Sequence, residues 1–152
     1  MTLRKLVTVV AAMVAVLGSL TLATPAQAAN AFEFDHAVAA AYGPCADLYI
    51  PPVPPACGLF EPSGDYFFIE DSAADGHSAA IYWHNYLPGS TALYRWGSCV
   101  NSRGSANGKG QCNKNFQENS RIDWKVCLYD SGTTPSDVRN YYHCTSVATS
   151  YA

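Results

Sequence analysis

The chain has 152 residues, six cysteines, a hydrophobic fraction of 49 % and a formal net charge of −3. That length supports one domain around one core rather than two. The acidic balance gives no reason to expect a nucleic-acid partner.

Arg4 and Lys5 precede an apolar run over 6–23, and Pro25 breaks it just before Ala26-Gln27-Ala28. A basic start, an apolar middle and a small-x-small triplet are what export and signal cleavage require, so 1–28 read as a secretory signal of bacterial style. Gly18, Pro25 and the Ala-x-Ala triplet argue against an uncleaved membrane anchor. No later apolar run reaches a spanning length, and the exported remainder is expected to be extracellular, without a membrane association.

Cys45, Cys57, Cys99, Cys112, Cys127 and Cys144 all follow the signal. An even count in a short exported chain reads as three disulfides rather than thiol chemistry. No Cys-x-x-Cys occurs, so no metal is expected. Residues 29–76 hold eight acids and no Lys or Arg, whereas 77–152 hold seven basic residues and four acids. The two segments are expected to pack together and neutralise one another.

The chain then divides into an acidic, Pro-rich segment, 29–64, packed on an antiparallel β domain, 65–152. One helical turn fits Ala37 to Ala41, and no sustained helical period follows. Tyr66, Phe67, Phe68 and Ile69 lead to Asp75-Gly76, the signature of a tight hairpin. The run 79–83 turns at Pro88-Gly89 into 92–96, and Gly97 is expected to mark a bulge. Asn107-Gly108 sits in a loop flanked by Cys99 and Cys112. In 121–129, Ile122, Trp124, Val126 and Leu128 alternate with Arg121, Asp123, Lys125 and Tyr129, the period of a half-buried strand. The run 141–147 returns as the last strand. Short strands between regular turns predict an all-β meander closed as a sandwich or barrel and stapled by three disulfides. Local turns favour the pairs Cys45–Cys57, Cys99–Cys112 and Cys127–Cys144 among the fifteen that six cysteines allow.

No residue set stands out as catalytic. His36, His77, His84 and His143 read as solvated or structural, and no cofactor is implied. Asp71 and Asp75 sit near calcium-loop spacing, but Ala73 and Tyr82 occupy ligand positions, which a hairpin explains better. Glu118, Arg121, Arg139 and His143 supply the residue types of a guanyl-type ribonuclease, the alternative reading as a small secreted hydrolase; only then would nucleic acid be a partner. A secreted antimicrobial or surface protein is a third reading. All ten tyrosines and three tryptophans lie after the signal, and adjacent rings such as Tyr82-Trp83 fall on opposite faces, which suits binding of an extracellular carbohydrate or protein.

Four prolines stiffen the segment from Cys45 to Cys57. Here Leu48-Tyr49-Ile50-Pro51-Pro52 resembles the Bowman–Birk-type inhibitory loop, in which a scissile pair precedes an apolar residue and two prolines inside a disulfide ring. Tyr49 stands where that family usually has Ser, and this ring is longer. The resemblance implies that Leu48 fills the pocket of a subtilisin- or chymotrypsin-like protease from a loop outside the sheet. The expectation is a small secreted binding protein, in its most concrete form an inhibitor of an extracellular serine protease.

Overall fold

The computed structural model describes residues 31–41, 48–49, 56–132 and 134–152. The signal segment, Cys45, Ile50, Pro51 and Pro52 lie outside these residues. The strands are β1 (Phe32–His36), β2 (Val38–Ala39), β3 (Leu48–Tyr49), β4 (Ala56–Glu61), β5 (Tyr66–Asp71), β6 (Ser78–Tyr86), β7 (Leu93–Asn101), β8 (Lys109–Asn113), β9 (Arg121–Tyr129), β10 (Tyr141–Tyr142) and β11 (Ala148–Tyr151). No α-helix occurs among the described residues, and none of their helices is long and apolar enough to cross a membrane.

The fold is all-β, in two sheets. The larger runs β1-β7-β6-β9-β10, with β11 also on β9; the smaller runs β2-β8-β5-β4-β3. Alternation explains the facing of β9: Ile122, Trp124, Val126 and Leu128 are at most 7 % exposed. They share one core with Phe60, Phe67 and Ile69 of the smaller sheet and with Ile81 and Trp83 of β6. The other face of β9 is not simply solvated, because Cys127 and Tyr129 are also buried beneath Tyr141.

The strand order is not that of a meander. Asp75-Gly76 is no hairpin: β5 ends in the smaller sheet and β6 begins in the larger. The loop containing Asn107-Gly108 makes the same kind of crossing between β7 and β8. Both β5 and β6 carry apolar inner faces, and crossing sets those faces against each other, with the rings of Phe67 and Trp83 stacked at 6.3 Å. A hairpin would have left both looking the same way. Pro88-Gly89 does turn β6 into β7: the Ser90 amide donates to the Leu87 carbonyl at 3.0 Å, and Gly89 takes φ +71, the positive φ that a type II turn requires there.

The N-terminal acidic segment supplies strands to both sheets. β1 adds to β7 in parallel. Gly97, the expected bulge, is instead the point of closest approach: it lies opposite Glu33, and a Cβ there would overlap the Glu33 carbonyl. The irregularity on β7's other side, in the β6–β7 ladder, falls at Asn85/Tyr86. At the expected helical turn the chain passes from one sheet to the other, with Ala37 buried and Val38–Ala39 paired to β8. The Ala37 side chain occupies the space a Cβ at Gly110 would need.

Cys99–Cys112 joins the two sheets, and Cys127–Cys144 ties β9 to the segment after β10. These are the pairings the turns suggested, although the first spans a crossover and not a hairpin. None of the described cysteines is free.

Charge is neutralised across the halves. The Lys114 ammonium, 3 % exposed, meets Glu33 at 2.8 Å and also Asp35. Arg95 forks onto Glu33 at 2.7 and 2.9 Å. Burial pushes the Glu33 carboxyl up, but the hydrogen bonds from Arg95 and Lys114 outweigh it and hold the carboxyl below its ordinary 4.5.

Two outcomes follow for stability. Trp124→Ala should cost about 3–5 kcal/mol in urea unfolding, since the ring is buried and its Nε1 donates to Ser150 Oγ. Lys125→Ala, on the outer face, should stay within about 0.5 kcal/mol. Glu33→Gln should cost about 1–3 kcal/mol at neutral pH by leaving Lys114 and Arg95 short of a partner. Because the folded carboxyl titrates lower than the unfolded one, its contribution is present above pH 4.5 and fades as pH falls through the folded value. The gap between wild type and variant should therefore narrow in acid; a constant gap would contradict the clamp.

Candidate functional site: an aromatic face on the larger sheet

Alternation that sends Trp83 inward sends Tyr82, His84 and Tyr86 of β6 outward. Beside them stand Trp96 of β7, Phe32 and Phe34 of β1, and Arg121, Asp123, Lys125 and Tyr129 of β9. The residues beneath, Ala80, Ser98 and Val100, are small and fully buried, which lets large rings lie across several strands. Tyr141 lies 5.1 Å from Tyr82 and 5.0 Å from Tyr129, ring to ring. Its hydroxyl donates to the Pro135 carbonyl at 2.9 Å and lies 2.8 Å from Ser98 Oγ. Phe32 packs edge-on to Trp96 at 4.8 Å. Burial pushes the Tyr141, Tyr82 and Tyr129 hydroxyls up, so all three stay neutral donors at physiological pH.

This layer covers only part of the sheet. Toward the Tyr86 end, His84 sits 5.3 Å from the buried ring of Tyr82, 6.3 Å from Trp96 and 6.5 Å from Tyr86, so that three partly exposed rings, Tyr86, His84 and Trp96, border one buried ring. A shallow pocket of about 170 Å³ opens there, lined by Tyr82, His84, Asp123, Trp124, Lys125 and Val147. Charged groups border the rings: the Arg121 guanidinium stands 4.2 Å above Tyr86 and the Lys125 ammonium 5.3 Å from Tyr82. Thr149 donates to Asp123 at 2.8 Å, which fixes that carboxylate at the rim. Burial is the main reason His84 titrates below 6.5; Asp123 opposes it and Lys125 adds to it. The ring is therefore neutral at pH 7. Flat neutral rings edged by a carboxylate, an ammonium and a guanidinium can stack on an apolar ligand face and hydrogen-bond its rim.

The sequence-picked inhibitory residues lie elsewhere. Leu48 and Tyr49 form β3, the terminal strand of the smaller sheet, with Leu48 opposite Gly58 and Tyr49 opposite Cys57. Their backbone is thus part of the sheet, not a loop outside it. Ile50, Pro51 and Pro52 fall outside the described residues.

The four ribonuclease-type residues are not brought together. Arg121 and Glu118 stand at the start of β9, whereas Arg139 lies beyond its far end, about 26 Å away at about 3.3 Å per strand residue. Arg139 is moreover held by Asp137, its Nε 3.0 Å from both carboxylate oxygens. His143 follows β10 with φ +46, partway along β9. Among the described residues no three metal-ligating side chains form a group.

No family model, curated protein or solved structure matches the chain. The functional reading therefore rests on its own residues. Sequence reasoning flagged the aromatic richness and the opposite facing of Tyr82 and Trp83. It missed the row Tyr86–His84–Tyr82, whose signal was already present as a period of two.

Titration of His84 by NMR should give a midpoint below 6.5. Removing the neighbouring cation in Lys125→Ala should raise it, and removing the anion in Asp123→Asn should lower it further. An unchanged midpoint in both variants would mean neither group faces the ring.

Proposed function

We propose that the protein is a secreted, disulfide-stapled binding protein that holds a carbohydrate on the aromatic face of its larger sheet. The observation that carries this reading is the set of partly exposed rings, Tyr86, His84 and Trp96, packed around buried Tyr82 beside a pocket rimmed by Asp123 and Lys125. A sugar ring presents apolar C–H groups on its face and hydroxyls at its edge, and this surface offers aromatic faces with donors and acceptors around them.

Two disulfides support an oxidising, extracellular compartment, in keeping with the signal read in 1–28. With Cys99–Cys112 and Cys127–Cys144 formed, Cys45 is the cysteine left to pair with Cys57, completing three. We read the two sheets as a sandwich, on the support of the core that their inner faces share.

Affinity electrophoresis tests the binding reading. Wild type should be retarded in gels containing at least one soluble neutral polysaccharide among β-glucan, xylan and glycol chitin. His84→Ala should weaken that retardation about tenfold, a loss of about 1.4 kcal/mol, with the melting temperature nearly kept. Migration unaffected by every polysaccharide would sink the proposal.

A second reading, protease inhibition through Leu48, is favoured by one observation: among the described residues β3 ends its sheet. An edge strand with one side unpaired can add to an extended segment of another protein. Leu48→Asp should then abolish inhibition of a subtilisin-like protease by carrying a charge into an apolar pocket. If wild type inhibits neither subtilisin- nor chymotrypsin-like enzymes, this second reading is wrong.

A further inference from the structure

Two of the crossovers between the sheets, 72–77 and 102–108, run side by side and leave a cleft of about 490 Å³ between them. Its walls are Ala, Gly and Ser, apart from Asp71 and His77. Gly76 and Gly104 take φ +85 and +78 in open space, so the chain presents bare backbone at the rim. Such a cleft is wide enough for a small ligand, and its two ionisable residues define the chemistry.

Asp71 closes β5 and is only 3 % exposed. Its Oδ1 accepts the Ala73 amide at 3.2 Å, whereas Oδ2 accepts no hydrogen bond from a described residue. A carboxylate so enclosed normally carries a cation or several donors. The basic residues of the neighbouring crossover are directed elsewhere: Arg103 donates to the Lys109 carbonyl at 3.1 Å, and the Lys109 ammonium lies 3.8 Å from Glu70.

His77 faces the same space from the start of β6. Its Nδ1 lies 2.7 Å from Asp130 Oδ1 and 2.6 Å from Tyr142 Oη, and that hydroxyl donates to Asp130 Oδ2 at 3.0 Å. Asp130, just after β9, and Tyr142 of β10 thereby fix the ring, and Nδ1–H is committed to the carboxylate. Nε2 makes no hydrogen bond to a described residue and is left to serve a ligand. Asp75 also borders the ring, its Oδ1 accepting the His77 amide at 3.0 Å. The groups around the cleft are thus Asp71, Asp75 and Asp130 with Tyr142, against His77 and the engaged Arg103.

We propose that this cleft is a second binding site, for a ligand bearing a primary ammonium or guanidinium that pairs with Asp71 while a ligand donor reaches His77 Nε2. The site is independent of the aromatic face. Its pH dependence has one sign. Burial pushes the Asp71 carboxyl up, so the anion forms only above the ordinary 3.8. The hydrogen bond that His77 donates to Asp130 likewise raises the ring above 6.5, and the imidazolium would repel a cation and lose its acceptor. Affinity should rise with pH through both titrations.

The test compares Nα-acetyl-lysine amide and Nα-acetyl-arginine amide with the uncharged isostere Nα-acetyl-norleucine amide, using the full protein and NMR. The cationic probes should shift the His77 ring and the Gly76 and Gly104 amides, more strongly above the His77 midpoint than below it. Asp71→Asn should lower their affinity at least tenfold, and His84 resonances should not move. Should Asp71→Asn fail to fold, Ala106→Lys places an ammonium at an exposed wall of the cleft and should block the probes equally. Norleucine binding as well as lysine, affinity that falls as pH rises, survival of binding in the variants, or no shift with any probe would each overturn the proposal.

Discussion

Lys114 sits with its ammonium almost wholly out of water, between the inner faces of both sheets. Placing a charge there costs several kcal/mol before any contact is made. Glu33 and Asp35 of β1 meet the ammonium, the ring of Trp83 lies beneath it, and Arg95, packed on Phe116, completes the group. Arg95 also donates to the Lys114 and Asn115 carbonyls at 3.1 and 3.2 Å, which holds the chain leaving β8 against β7. Asp65 secures the same stretch from the other side, its Oδ2 accepting the Phe116 amide at 2.7 Å. Without these acids the lysine would be a buried, unpaired cation. The parallel strand β1 is thereby fixed on β7, where Gly97 lets it approach, and with it the outward rings Phe32 and Phe34. The aromatic face on the outside of the sheet depends on an ionic cluster on its inside.

The disulfides act where the chain leaves the ladders. Cys99–Cys112 brackets one crossover and so limits how far 102–108 can move from the cleft it lines. Cys127–Cys144 anchors the segment that lays Tyr141 over the sheet. In each case a covalent link restrains a surface that would otherwise be free to fray. A site whose walls are already placed loses less conformational entropy when a ligand arrives. Thr145 performs the same task with hydrogen bonds: its amide donates to the Val126 carbonyl at 2.8 Å and its Oγ1 accepts the Val126 amide at 3.1 Å. That link carries the edge of β9 across the gap between β10 and β11.

What was legible in the sequence is local. The period of two in β9 named its core residues, Pro88-Gly89 named a turn, and the spacing of Cys99, Cys112, Cys127 and Cys144 pointed to their partners. What was not legible concerns which sheet receives a strand. Asp75-Gly76 and Asn107-Gly108 state that the chain reverses, but turn chemistry is the same whether the next strand pairs with its predecessor or crosses the core. The choice belongs to distant residues, here the long ladders β6 forms with β7 and β9. The parallel pairing of β1 likewise rests on Glu33 and Asp35 finding Arg95 and Lys114, about sixty to eighty positions away. Asp71, His77, Asp130 and Tyr142 come from β5, the residue before β6, the residue after β9, and β10, and no spacing among them carries a motif.

His77, just before β6, and His84 within it show how two ends of one segment give the same side chain two characters. His77 is partly exposed and hydrogen-bonded to a carboxylate, which stabilises its charged form; His84 is packed among rings, which penalises that form. Their midpoints are therefore driven apart, one above and one below the value both would share in an unfolded chain. In the interval between them the end of β6 at the cleft carries a proton and a positive charge, while the end at the aromatic face presents a neutral ring. A neutral ring is what stacking on an uncharged ligand needs, because a charged imidazole would have to shed its water to make the contact. A histidine held by Asp130 and Tyr142 at the cleft instead keeps its Nδ1 side occupied throughout its own titration, because Asp130 stays ionised there, so protonation changes only what Nε2 offers. The separation of roles along β6 is thus set by burial at one end and by a hydrogen-bonded carboxylate at the other, and neither depends on the identity of the ligand.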